Sequence, residues 1–125
     1  MGRIWITLGG LAGAGAVGLA ATAAHALPAS LDAKAIAAIQ SAIQLQAWHA
    51  LALLFTGLWV LRATGLPRWL GHIAGAGFTA GTLLFSGAIL GHHLGGFTLG
   101  PAAPIGGTLL IAAWLSLAIS ALSAR

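Results

Sequence analysis

A chain of 125 residues with 59% hydrophobic and only 5% charged residues is not an ordinary soluble domain, in which about a quarter of residues carry charge. The net charge of +4 comes from Arg3, Lys34, Arg62, Arg68 and Arg125, which stand singly and so exclude a nucleic-acid surface, where basic residues cluster. With one acidic side chain, Asp32, and no cysteine, the chain lacks the paired carboxylates of acid–base hydrolysis and any thiolate ligand or nucleophile.

A helix needs about 20 apolar residues to cross the hydrocarbon core of a bilayer. The first such stretch runs from about Ile4 to Ala26 behind Arg3, is rich in Gly and Ala, and contains Gly9-x-x-x-Gly13. It also resembles a secretory signal, with Ala24-His25-Ala26 in the place of a cleavage site. Its apolar part is longer than the roughly 7–15 residues usual for such signals, so it reads as a retained span. Pro28-Ala29-Ser30 reads as a stop followed by a helix N-cap at Ser30, with Asp32 in the first turn. Ile36, Ile39 and Ile43 then recur at helical spacing, with Gln40 and Gln44 on another face. This predicts a short interfacial amphipathic helix running into a second span from about Ile43 to Leu61.

The second connection, Arg62 to Gly71, is broken by Gly65-Leu66-Pro67. A third span covers about Trp69 to Gly91. The third connection, His92 to Pro104, carries Gly95-Gly96, Pro101 and Pro104, and a fourth span covers about Ile105 to Leu122. Residues 1–125 thus read as a single all-α domain, an integral membrane four-helix transmembrane bundle with a short interfacial helix before the second span. Arg3, Arg62, Arg68 and Arg125 fall on one side of such a bundle and only Lys34, beside Asp32, on the other. The positive-inside rule then places both termini in the cytoplasm. Trp5, Trp48, Trp59 and Trp69 lie near span ends, as an aromatic belt requires.

The topology groups the histidines. His25, His49, His92 and His93 fall near the outer face and His72 near the inner one. Neutral imidazoles converging from three helices could bind a metal or ligate haem. His92 and His93 are adjacent, however, so on a helix they point about 100° apart. The plainer reading is interfacial histidines that make hydrogen bonds or face water. On the third span His72, Thr79, Ser86 and His93 recur every seven residues, with Gly75 and Thr82 on the same side. Such a polar seam would line a water path or bind a polar ligand, or it is a helix-contact face. The repeats Gly71/Gly75, Gly77/Gly81 and Gly87/Gly91 favour contact. On the second span Gln46, His49 and Thr56 share a face, and His49 is the residue to mutate first, because an ionisable group within a membrane is a functional candidate by default.

Three ordered strings are more specific. Gln46-Ala47-Trp48-His49-Ala50-Leu51, Gly81-Thr82-Leu83-Leu84-Phe85-Ser86-Gly87 and Pro104-Ile105-Gly106-Gly107 with Trp114, together with His25, resemble the motifs of a family of small membrane proteins. The family is known as domain of unknown function 423, with an animal relative called transmembrane protein 256. The resemblance implies a bacterial inner-membrane protein of four spans and supplies no activity or cofactor. Leu45 stands where the family pattern has an aromatic residue, and His92-His93 is not part of the motif.

The expectation is a non-enzymatic multi-pass protein that packs against other membrane helices, as a homo-oligomer or as an accessory subunit of a larger complex. No catalytic residue and no cofactor is expected. The alternative is a binder or transporter of a small molecule, ion or cofactor through an outer-leaflet cluster of His25, Gln46, His49 and Ser86. A metal would draw on His25, His49, His92 and His93.

Overall fold

The structure, a computed structural model, describes residues 1–27 and 29–125. It consists of α1 (Gly2–His25), α2 (Ala33–Arg62), α3 (Gly65–Leu94) and α4 (Ala102–Ser123), each long and apolar enough to cross a membrane. The 30 residues of α2 and of α3 give rods about 45 Å long. That exceeds the hydrocarbon core of about 30 Å, a difference that tilt or extension into the headgroup layers accommodates. The helix expected before the second span is the first part of α2 and continues into the span without a break.

The cap of α2 is Asp32, not Ser30: the Ala35 N–H donates to the Asp32 carboxylate at 2.8 Å. Ser30 lies in the preceding turn, too early to reach the free amides, and a carboxylate also complements the positive end of the helix dipole. The stop read at Pro28 lies outside the described residues.

Only Ala63 and Thr64 join α2 to α3, and Gly65 takes the sharp reversal with φ +59°. Pro67 and Pro104 each sit in the first turn of a helix, where the missing N–H costs no helical bond. At the far end of α3 the Gly91 carbonyl accepts from both Gly95 N (3.0 Å) and Phe97 N (3.2 Å). The Phe97 ring then covers the Gly91 position, where a Cβ would lie 2.6 Å from Cε2.

Helices adjacent in sequence pack against each other, and α1 meets α3 only lightly. The seam between α1 and α2 repeats every seven residues. Gly2, Gly9 and Ala16 are the buried residues of α1, and Ile43, Ala50 and Gly57 are buried on α2. A seven-residue repeat keeps two antiparallel helices in register along a left-handed crossing. A Cβ at Gly9 would lie 2.8 Å from the Ala50 carbonyl oxygen, whereas one at Gly13 meets only Ala50 Cβ at 3.8 Å. The contact therefore follows Gly2/Gly9/Ala16, not Gly9-x-x-x-Gly13. Between α3 and α4 the backbones approach most closely at Gly106, where a Cβ would lie 2.6 Å from Phe85 N and 2.8 Å from Gly81 O. Around this crossing lies the apolar core, formed by Ala52, Leu53, Ala74, Phe78, Leu110, Ala113 and Leu117.

Candidate functional site

His49 sits at the centre of the bundle with 4% of its surface exposed. Its Nδ1 lies 2.7 Å from the Leu45 carbonyl, and its Nε2 accepts the Trp114 indole N–H at 3.1 Å. A carbonyl can only accept and an indole N–H can only donate, so the geometry fits the neutral ring with its proton on Nδ1. Phe78 closes the box. Its ring centroid is 5.7 Å from that of His49 and 4.9 Å from that of Trp114, edge-on to the indole. Both ring nitrogens are therefore hydrogen-bonded within the protein.

The same device recurs twice. The Trp5 indole donates to His72 Nδ1 at 3.0 Å, tying α1 to α3. The Trp59 indole donates to Ser120 Oγ at 2.8 Å, and the Ser120 hydroxyl donates to the Pro67 carbonyl at 2.6 Å, tying α2 and α3 to α4. Ser116 adds a bond to the Leu70 carbonyl at 2.9 Å. Of the four tryptophans read as an aromatic belt, Trp48 and Trp69 are exposed (57% and 70%), but Trp5 and Trp59 turn inward. Each inward-turned N–H is satisfied by an acceptor on a neighbouring helix.

The polar cluster expected at the outer leaflet divides. Ser86 donates to the Ala42 carbonyl of α2 at 3.1 Å, and Gln46 donates to the Ala12 carbonyl of α1 at 3.0 Å. These two side chains line one cavity together with Thr82. His49, three residues along α2 from Gln46, faces α4 instead, and His25 is exposed at the end of α1 and lines neither this cavity nor the groove between α1 and α2. His92 is exposed and His93 half-buried, their rings 4.8 Å apart. Among the described residues no three His, Cys, Asp or Glu side chains gather closely enough to hold a metal ion. Of the seven-residue seam on α3, His72 and Ser86 bond to neighbouring helices and Thr79 bonds to the Gly75 carbonyl. The pairing of Trp5 with His72 escaped the sequence reading, because nothing local marks two residues 67 positions apart as partners.

The three strings singled out in the sequence meet at these contacts. Gly106 lets α4 reach the α3 backbone at Phe85, Ser86 ties α3 to α2, and His49 with Trp114 ties α2 to α4. The sequence profile of a family described as "Protein of unknown function (DUF423)" matches residues 19–107. The chain is 33% identical over 123 residues to a UPF0382 membrane protein of Haemophilus influenzae, covering 97% of this chain and 95% of that one. It is 34% identical over 122 residues to the UPF0382 membrane protein SERP0230 of Staphylococcus epidermidis, covering 96% of each. It is 29% identical over 122 residues to the UPF0382 membrane protein YwdK of Bacillus subtilis, covering 95% of this chain and 96% of that one. No solved structure matches.

Proposed function

We propose, from the premise that this chain belongs to the DUF423 family of membrane proteins of unknown function, that it is a non-enzymatic packing subunit of the bacterial inner membrane. It binds other transmembrane helices through α1, as a homo-oligomer or within a larger complex, and both termini lie in the cytoplasm. The observation that carries this reading is the contrast between exposed faces. α2 and α4 present bulky side chains to their surroundings, among them Leu51, Phe55, Leu58, Ile111, Leu115 and Ile119. α1 presents Gly10, Ala14, Gly18, Ala20, Ala21 and Ala24, interrupted by the larger Leu11 and Val17. Nothing inside the protein requires the two glycines, since a Cβ at either would meet no atom within 4 Å. In lipid, a stripe of small residues lets a second helix approach closely, whereas bulky residues suit acyl chains.

An open groove of about 840 Å³ runs along this face between α1 and α2, with Gln40 and Gln44 in its wall. Both glutamines are exposed and offer hydrogen bonds to a partner helix. The motif residues support the non-enzymatic part of the reading. His49, Ser86 and Trp114 spend their hydrogen-bonding groups on neighbouring helices, as bundle staples do.

The test is extraction of the tagged protein from native membranes in mild detergent, followed by native electrophoresis and mass spectrometry of what accompanies it. The wild type is expected as a discrete species well above a 12.4 kDa monomer. Gly10→Leu with Gly18→Leu should release the monomer without lowering its melting temperature. A wild-type monomer with no stoichiometric companion, or a complex that tolerates both substitutions, would overturn the proposal.

A further inference from the structure

Where α2 turns into α3 and α4 ends, the three helices frame a cavity of about 360 Å³. That volume lies at the small end of ligand sites, which run from about 300 to 1,000 Å³. Trp59 and Arg62 of α2, Thr64 and Pro67 around the start of α3, and Ser123 with Arg125 at the end of α4 line it. Hydrogen bonds hold this frame. Trp59 is bonded to Ser120, and Ser120 to the Pro67 carbonyl. The Ser123 hydroxyl donates to the Ser120 carbonyl at 3.0 Å, which fixes the end of α4 beside them.

Two arginines from different helices thus share one small cavity, and no acidic side chain can reach either. The chain's one acidic side chain, Asp32, caps the opposite end of α2. The 30 residues of that helix put it about 45 Å from Arg62. An α-carboxylate at Arg125 would offset one of the two charges and leave the other. Thr64 adds a hydroxyl, since its side chain makes no cap bond to α3. The counter-charge for this cavity therefore comes from outside the protein.

We propose that the cavity holds the phosphate of an anionic glycerophospholipid, with Arg62 and Arg125 as its principal donors. A guanidinium presents paired N–H groups that match two phosphate oxygens. Basic pockets between transmembrane helices suit such headgroups. The source is a lipid because the cavity lies at the ends of two spans, where arginine side chains reach the headgroup layer. Leu66 at its rim and Leu122 beside Ser123 are exposed by 62% and 86%, an apolar surface on which acyl chains can lie. A zwitterionic headgroup fits less well, because it brings a cation of its own to two guanidinium groups. Arg3 and Arg68 belong to the first turns of α1 and α3, at the same end of the bundle, but line no part of the cavity.

The test is native mass spectrometry of the full-length protein in neutral maltoside micelles, titrated with dioleoyl phosphatidylglycerol or dioleoyl phosphatidylcholine. Phosphatidylglycerol should bind one to a protein, about tenfold or more tighter than phosphatidylcholine, as a charge-assisted hydrogen bond implies. Arg62→Gln and Arg125→Gln should each weaken that binding about tenfold. Arg3→Gln and Arg68→Gln remove the same charge outside the cavity and should change it less than about twofold, since exposed charges without a shared ligand contribute little. Excess inorganic phosphate should not displace the lipid. Melting curves on the same samples show that each variant is folded. Equal affinity for the two lipids, equal effects of the four substitutions, or displacement by free phosphate would each overturn the proposal.

Discussion

Replacing Trp114 with phenylalanine removes one N–H group and keeps an aromatic ring against Phe78. The acceptor left behind, His49 Nε2, belongs to a residue only 4% exposed and loses its bond at 3.1 Å. Hydrogen bonds between membrane helices contribute about 0.6 kcal/mol on average and about 1.7 at most. Orphaning a buried acceptor costs about 1–3 kcal/mol. Trp114 is already 47% exposed, so the smaller ring forfeits little burial. The sum is a destabilisation of about 1–2 kcal/mol, read from reversible unfolding in mixed detergent micelles. In a double-mutant cycle with His49→Ala, roughly half or more of that loss should vanish, because the acceptor is already gone. Nitrogen NMR of the wild type should place the His49 proton on Nδ1. A cost under about 0.3 kcal/mol with no coupling to His49, or a proton on Nε2, would refute the reasoning.

Gly106→Ala should cost at least about 2 kcal/mol, since its methyl would fall 2.6 Å from Phe85 N, while Gly107→Ala, with Phe85 Cδ2 at an ordinary 3.8 Å, should be nearly neutral. Unfolding of the two variants side by side checks this. Thr82→Val should raise the stability of the protein by about 1 kcal/mol, because it removes a buried hydroxyl with no partner among the described residues. An unchanged or lower melting temperature would contradict that. Cysteine labelling of intact cells should modify Ser30→Cys from outside and reach Arg125→Cys only after permeabilisation, as the grouping of Arg3, Arg62, Arg68 and Arg125 requires.

The four helices were legible because apolar runs of sufficient length, punctuated by Pro28, Gly65-Leu66-Pro67 and the Gly/Pro cluster at 95–104, admit few other structures. Contacts were less so. Gly9 and Gly13 stand four apart and attract notice, but the working seam needs the seven-residue register of Gly2, Gly9 and Ala16. Which Gly pair is used depends on the crossing angle, which is a property of both helices. The capping choice between Ser30 and Asp32 turned on a shift of two residues, within the ordinary uncertainty of a helix start. His49 stood out as an intramembrane histidine, but its role depended on Trp114, 65 residues away. Thr82 was visible only as one more small polar residue beside the seam. Its importance lies in a bond it does not make, which no local pattern encodes.

The outward small-residue face of α1 is the centre of this account, and cysteine crosslinking in native membranes tests it most directly, because the chain has no cysteine of its own. Gly10→Cys and Gly18→Cys, treated with a short thiol crosslinker, should each yield a discrete larger species. Leu115→Cys on the bulky face of α4, 60% exposed, should remain monomeric. Crosslinks that form equally from both faces, or from neither, would contradict the claim that α1 meets a specific partner.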